Sequence, residues 1–310
     1  MIRKLTALAC AGSILASSAA PVIAQEAGPR VFTRTGQWQL EAAEEECRIA
    51  RVFTNGDQQI ALALERNRAD PLVRVVLVTN ALSFYRTAEE LGYTFQPAGE
   101  HRSARYITAE MADGQTYYNL GNVLLAAMPA PPAPGTPPPA PGTPQPVYDR
   151  AAEQAYAAGI TAIEFNTGLT QPVRLETGSL RAAITALQAC EDDLLRTWGL
   201  DWEKHQTMTR RAAPDGRASD WIPAGTIGFG DFASLSAGRN PFRVMVSAEG
   251  QPTACNAMWA SLDASKNERV CNAIMEHGRF LPALDAAGQP MASYWIVDYL
   301  FGLAPPPPGR

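Results

Sequence analysis

The chain is 310 residues long and sets 31 acidic side chains against 26 Lys and Arg, a formal net charge of −5. That balance argues against a nucleic-acid binder, whose affinity for phosphates needs a basic face. With 46% hydrophobic residues and a length beyond the ~100–150 residues of one ordinary domain, the chain has the material for two folded domains.

Residues 1–24 read as a secretory signal. Arg3 and Lys4 precede an apolar, small-residue run from Leu5, and Val22-Ile23-Ala24 forms a small-residue exit, so cleavage after Ala24 leaves a mature chain starting at Gln25. The alternative is an uncleaved inner-membrane anchor, because Leu5 to Ala24 approaches the ~20 residues that span a bilayer. Export implies a periplasmic protein in an oxidising compartment. The four cysteines beyond the signal, Cys47, Cys190, Cys255 and Cys271, are an even number with three pairings open. Locality selects Cys47 with Cys190 and Cys255 with Cys271, each bridge within one domain. A metal site is the poorer reading: no Cys-x-x-Cys occurs, and only His101, His205 and His277 could add ligands.

Residues 25–205 form the first expected domain. "GQWQLEAAEEECRIARVF", "QQIALALERN", "LVRVVLVTN" and "TAIEFNTG" are apolar runs separated by Asn-Gly, Gly-Asp and Asp-Pro signals, the pattern of an antiparallel β domain. "SLRAAITALQACEDDLLRTWGLD" is expected to close it as a helix, with Leu180, Ile184, Leu187, Leu194, Leu195 and Trp198 inward, Ser179 or Thr177 as cap and Gly199 as stop. Pro129 to Pro146 interrupts the region with ten prolines in eighteen residues. Fixed φ and missing donors predict a solvated polyproline-type stretch, read as an insertion in a surface loop rather than a spacer.

Catalytic constellations are missing from the pattern. "EFNTGLT" carries Asn166 where an aspartic-protease loop needs a carboxylate. "GTIGFGDF" has the wrong glycine order for a dinucleotide loop and reads as a connector. Neither a Gly-x-Ser-x-Gly elbow nor a His-Glu-x-x-His helix occurs. The clusters Glu44-Glu45-Glu46 and Glu191-Asp192-Asp193 read as solvated faces. The expectation is a non-enzymatic protein with no cofactor.

After a linker at 206–221, residues 222–303 make a small second unit, and 304–310 a disordered tail. "FRVMVSA" is a strand, "EGQ" a turn, "TACNAMW" a return strand, "SLDASKNERVCNAIMEHG" a helix capped by Ser261 or Asp263 and stopped by Gly278, and "MASYWIVDYLF" a last strand. The order is β-β-α-β, giving an α+β protein overall. The turn is written twice, as Ser-Ala-Glu-Gly-Gln-Pro and Asp-Ala-Ala-Gly-Gln-Pro, with Gly250 and Gly288 at the same place.

Phe242-Arg-Val-Met-Val-Ser-Ala-Glu-Gly-Gln-Pro, Ser261-Leu262-Asp263, Phe280-Leu-Pro-Ala and Asp285-Ala-Ala-Gly-Gln-Pro, taken in order, resemble the C-terminal domain of TonB-type energy transducers across residues 222–301. "DFASLSAGRNPF" stands where that family has Tyr-Pro-x-x-Ala, and Ser-Gly before Leu-Asp is missing. The resemblance implies a terminal edge strand open to an envelope protein or peptide, including an outer-membrane transporter, or to the same strand of a second copy; the alternative is that a nearby loop such as "GTIGFGDF" covers it within the monomer. The expected partner-binding residues are Ser293, Tyr294, Trp295, Ile296, Val297, Asp298 and Tyr299. Strand alternation puts Ser293, Trp295, Val297 and Tyr299 on one face and Tyr294, Ile296 and Asp298 on the other. A transducer role would require the N-terminal anchor to be kept.

Overall fold

Ile60, Leu62 and Leu64 are buried along one strand, the period of two that places alternate side chains on one face of a sheet. The computed structural model describes residues 28–127, 135, 148–223, 225–226, 239–258 and 264–300. The expected signal, nearly all of the proline-rich insertion, most of "GTIGFGDF", the Ser261 and Asp263 caps and the tail lie outside these residues. Within them the protein is mixed α+β, with strands predominating and four α-helices.

Ten strands form one large sheet. They are β1 (Arg30–Ala42), β2 (Cys47–Asn55), β3 (Gln58–Arg66), β4 (Leu72–Val78), β5 (Glu90–Gln96), β6 (His101–Arg105), β7 (Ile107–Glu110), β8 (Thr116–Leu124), β9 (Ala162–Phe165) and β10 (Val173–Glu176). Their order is β6-β5-β9-β10-β1-β2-β3-β4-β8-β7. β1 and β10 are parallel, and the other neighbours antiparallel. Asn55 pairs with Gln58 across a two-residue Gly-Asp loop, as the Asn-Gly signal leads one to expect. β6 and β7 occupy opposite ends of the order, yet only Tyr106 separates them in the chain. The sheet therefore curls until its two edges approach. Arg102 on β6 ties the seam by donating to the carbonyls of Leu124 and Ala126 beyond it, the latter at 2.6 Å.

Two helices, α1 (Arg150–Gly159) and α2 (Arg181–Thr197), cover this sheet. α2 buries Ile184, Leu187, Leu194 and Leu195, and Cys190 is bonded to Cys47 of β2 at 2.03 Å, the pairing that locality selects. The helix start differs from expectation. Leu180 holds the N-cap position because its side chain is fully buried in the core, and Ser179 only accepts from the Arg181 N–H at 3.3 Å. α1 was not legible as a helix: "RAAEQAYAAG" is mostly alanine and offers little periodic contrast, although Asp149 caps it by accepting from the Ala152 N–H at 2.9 Å. "GQWQLEAAEEECRIARVF", read as one run, is two strands broken by a turn at 43–46.

Among the described residues the largest fully buried side chain is that of Arg66. Its guanidinium meets Glu191 of α2 at 2.8 Å, Glu153 of α1, and the Tyr148 hydroxyl at 2.7 Å. Gln188 donates to Glu153 at 2.9 Å and to Tyr148 at 3.0 Å. Glu191 is thus no solvated residue: the helix turns it onto a buried cation. Burial weakens the charge on Arg66, but its two carboxylates outweigh that and hold its pKa above the ordinary range. One guanidinium faces two carboxylates, and Oε2 of Glu191 has no hydrogen-bond partner. Burial pushes Glu191 from 4.5 up to about 7, the nearby Arg66 opposing the shift.

The second core gathers Phe242, Val244, Val246, Val270, Ile274 and Phe280. β12 (Arg239–Val246) pairs with β13 (Pro252–Ala257) on one side and with the last strand on the other, and α4 (Ala264–His277) packs on one face. Cys255 of β13 is bonded to Cys271 of α4 at 2.01 Å. The stretch 206–221, expected as a linker, belongs to this core through Met208, Ala212 and Trp221. It carries the end of α3 (Trp202–Gln206), β11 (Ala213–Pro214) and a 3-10 turn at Ala218–Trp221; β11 pairs with β14 (Phe280–Leu281).

The doubled motif makes one turn twice. Ser247 and Asp285 each accept, through the side chain, from the N–H groups two and four residues on, and the Gly250 and Gly288 N–H groups return to the carbonyls of Ser247 and Asp285. The first links β12 to β13; the second links β15 (Ala283–Leu284) to β16 (Pro290–Met291). Gly250 has φ of 79°, and a Cβ there would stand 2.1 Å from the Phe280 carbonyl oxygen.

The Arg66 cluster sets a pH dependence. Glu191 holds its proton in the fold to about pH 7 but releases it near 4.5 when unfolded, so its contribution is full below about pH 4.5 and is lost as pH rises through 7. Glu191→Gln, which keeps the acceptor for Arg66, is expected to flatten the fall in unfolding free energy over that window in urea titrations. An unchanged slope would place the proton elsewhere.

Candidate functional site

The last strand, β17 (Ser293–Leu300), pairs antiparallel with β12, Val244 opposite Trp295 and Arg243 opposite Ile296. Alternation then divides its side chains. Trp295 packs with the core under α4, whereas Tyr294 turns to the large sheet and α2. The Trp198 ring meets Tyr294 edge-on at 5.2 Å, the His205 ring lies 6.3 Å away, and the Tyr294 hydroxyl accepts from the Ala69 N–H at 2.8 Å. Burial pushes the phenol up to about 12.

Arg243 makes the second contact across this interface. Its Nη2 and Nε bind the two carboxylate oxygens of Glu45 at 2.6 and 2.8 Å, and its guanidinium lies 4.3 Å from the Trp198 ring centre. Bidentate pairing and a cation–π contact act on the same buried group. The Glu44–Glu46 cluster is therefore not simply a solvated face; Glu46 in turn pairs with Arg74 at 3.0 Å.

Ser293 is also used internally. His205 Nδ1 lies 2.7 Å from the Asp201 carbonyl, which can only accept, so Nδ1 carries the hydrogen and Nε2 accepts from the Ser293 hydroxyl at 3.0 Å. Burial lowers the His205 pKa. With Ser293 2% exposed, the pair pins β17 to α3 and presents no open nucleophile.

What remains open on β17 is its main chain. Among the described residues its only ladder is with β12, and no other backbone bond reaches it. A cleft of about 420 Å³ runs along residues 293–296, walled by the β3–β4 turn at Arg68–Leu72 and by Met208, Arg211 and Ala212. Arg211 braces the turn by donating to the Ala69 carbonyl at 2.5 Å. Asp70, its carboxyl raised by burial against the pull of Arg68 and Arg211, accepts from the Leu72 N–H at 2.9 Å. Of the expected binding residues, Ser293, Tyr294, Trp295 and Ile296 border the cleft; the side chains of Val297, Asp298 and Tyr299 lie outside the described residues. The sequence reading missed the two walls, Arg68–Leu72 and Met208–Ala212, which come from segments far apart in the chain.

Compared with known protein families, with curated proteins and with solved structures, the chain matches none. Among the described residues no helix is long and apolar enough to cross a membrane.

Arg243→Ala is expected to lower the unfolding free energy by about 2 kcal/mol or more, since it strands Glu45 and removes the Trp198 contact. Denaturant unfolding monitored by tryptophan fluorescence checks this. Wild-type stability in that variant would show that the two sheets are held together by other contacts.

Proposed function

We propose that this is a non-enzymatic periplasmic interaction protein whose C-terminal unit, of TonB C-terminal type, takes up an extended peptide from an envelope partner by strand addition to β17. The carrying observation is that, among the described residues, the outer edge of β17 pairs with no strand and lies along a walled cleft. Main-chain bonds supply affinity in this mode, and side-chain pockets supply selectivity. The apolar side chains of Leu72, Met208 and Trp295 beside the edge suit alternate residues of an added strand. Walls on both sides favour one thin chain over a second globular copy. An open strand edge is otherwise a hazard for aggregation, and the walls limit what can approach it.

The test uses the exported protein and peptides selected from a displayed random library. A bound peptide is expected to slow amide exchange in residues 293–300 selectively. Of two adjacent strand residues one directs its N–H away from β12, so of Val297→Pro and Asp298→Pro one variant removes the outward donor and spares the ladder. That variant is expected to bind roughly tenfold more weakly with its far-UV spectrum intact. Peptide binding that leaves β17 exchange unchanged, or a dimer whose dissociation on dilution exposes β17, would contradict the reading.

A further inference from the structure

We infer a second binding site, independent of the β17 edge, in the cleft at the seam of the curled ten-stranded sheet, and assign it to a neutral, hydroxyl-rich ligand of the saccharide class. The cleft has a volume of about 800 Å³, within the ~300–1,000 Å³ of small-molecule sites. It lies where the ladder is twice interrupted. The chain leaves β6 and enters β7 through Tyr106, and in β8 Leu120 and Gly121 together oppose Val75 of β4 alone. This is a bulge, a device that re-aims side chains beside functional sites. Gly121 takes φ of 71°, and the Asn119 side-chain oxygen fixes it by accepting from the Gly121 N–H at 2.8 Å.

The chemistry of the lining selects the ligand. Each charge that lines the cleft has an opposite partner: Arg74 meets Glu46 at 3.0 Å and Glu65 at 3.1 Å, Arg66 meets Glu191 at 2.8 Å, Arg68 meets Asp70 at 3.5 Å, Arg105 meets Glu89 at 3.4 Å and Glu45 meets Arg243 at 2.6 Å, so the lining calls for no ionic ligand. Three carboxamides also line the cleft, those of Asn67, Asn119 and Asn122, and none of their NH₂ groups donates to a described residue. A carboxamide both donates and accepts, as a hydroxyl does. Tyr106 also lines the cleft, its ring packed against Phe84 at 4.8 Å on the core and its hydroxyl donating to the Ala88 carbonyl at 3.2 Å.

The probes are neutral oligomers of N-acetylglucosamine, glucose and mannose, with polygalacturonate as an anionic comparator, titrated calorimetrically into the full chain. At least one neutral oligomer is expected to bind. Asn122→Ala and Asn67→Ala, both outside the Gly121 contact, are each expected to weaken it roughly tenfold at unchanged melting temperature. Carboxamide NH₂ resonances of Asn67, Asn119 and Asn122 should shift on saturation. Failure of the whole neutral panel, tighter binding of the anionic comparator, or undiminished binding in the N67A/N122A double variant would overturn the assignment.

Discussion

Arg243 lies between a carboxylate from the β1–β2 turn and an indole from the end of α2, and the placing of everything around β17 follows from that contact. A three-stranded sheet has two faces to cover. Here α4 covers one, and the large sheet with α2 covers the other through Arg243 and Tyr294. With both faces taken, only the outer edge of β17 is left uncovered among the described residues. The cleft beside it exists because the β3–β4 turn is held against Tyr294 by the Ala69 N–H and against Arg211 by the Ala69 carbonyl.

The same turn separates the two concavities, since Arg68 and Leu72 border both. Its stiffness has a source below it. β3 ends at Arg66, which the two helices clamp through Glu153 and Glu191, and the Cys47–Cys190 bond ties α2 to the neighbouring strand. Breaking a buried ion pair costs more than forming it gains. The cluster therefore acts chiefly to specify where the helices sit, and through α2 where Trp198 meets the C-terminal sheet.

Local patterns were legible in the sequence because their causes are local. The Asn-Gly hairpin, the period of α2, the doubled Gly turn and the choice of cysteine partners rest on neighbouring residues or on compartment and spacing. What was not legible depends on pairs distant in the chain. Glu45 and Arg243 are 198 positions apart, and Glu191 lies 125 from Arg66, so an acidic run that looks solvated hides residues turned onto buried cations. The stretch 206–221 was expected as a linker, yet tertiary packing buries Met208, Ala212 and Trp221 in the second core. The cleft walls escaped notice for the same reason.

Among the described residues β17 is docked on both faces and open along one edge. Residue-resolved hydrogen exchange of the free protein tests it most directly. Residues 242–246 of β12, bonded on both sides, should be protected throughout, whereas residues 293–300 should alternate between slow and fast amides. Uniform protection along β17 in the free monomer would mean that the edge is already covered, and would contradict the account.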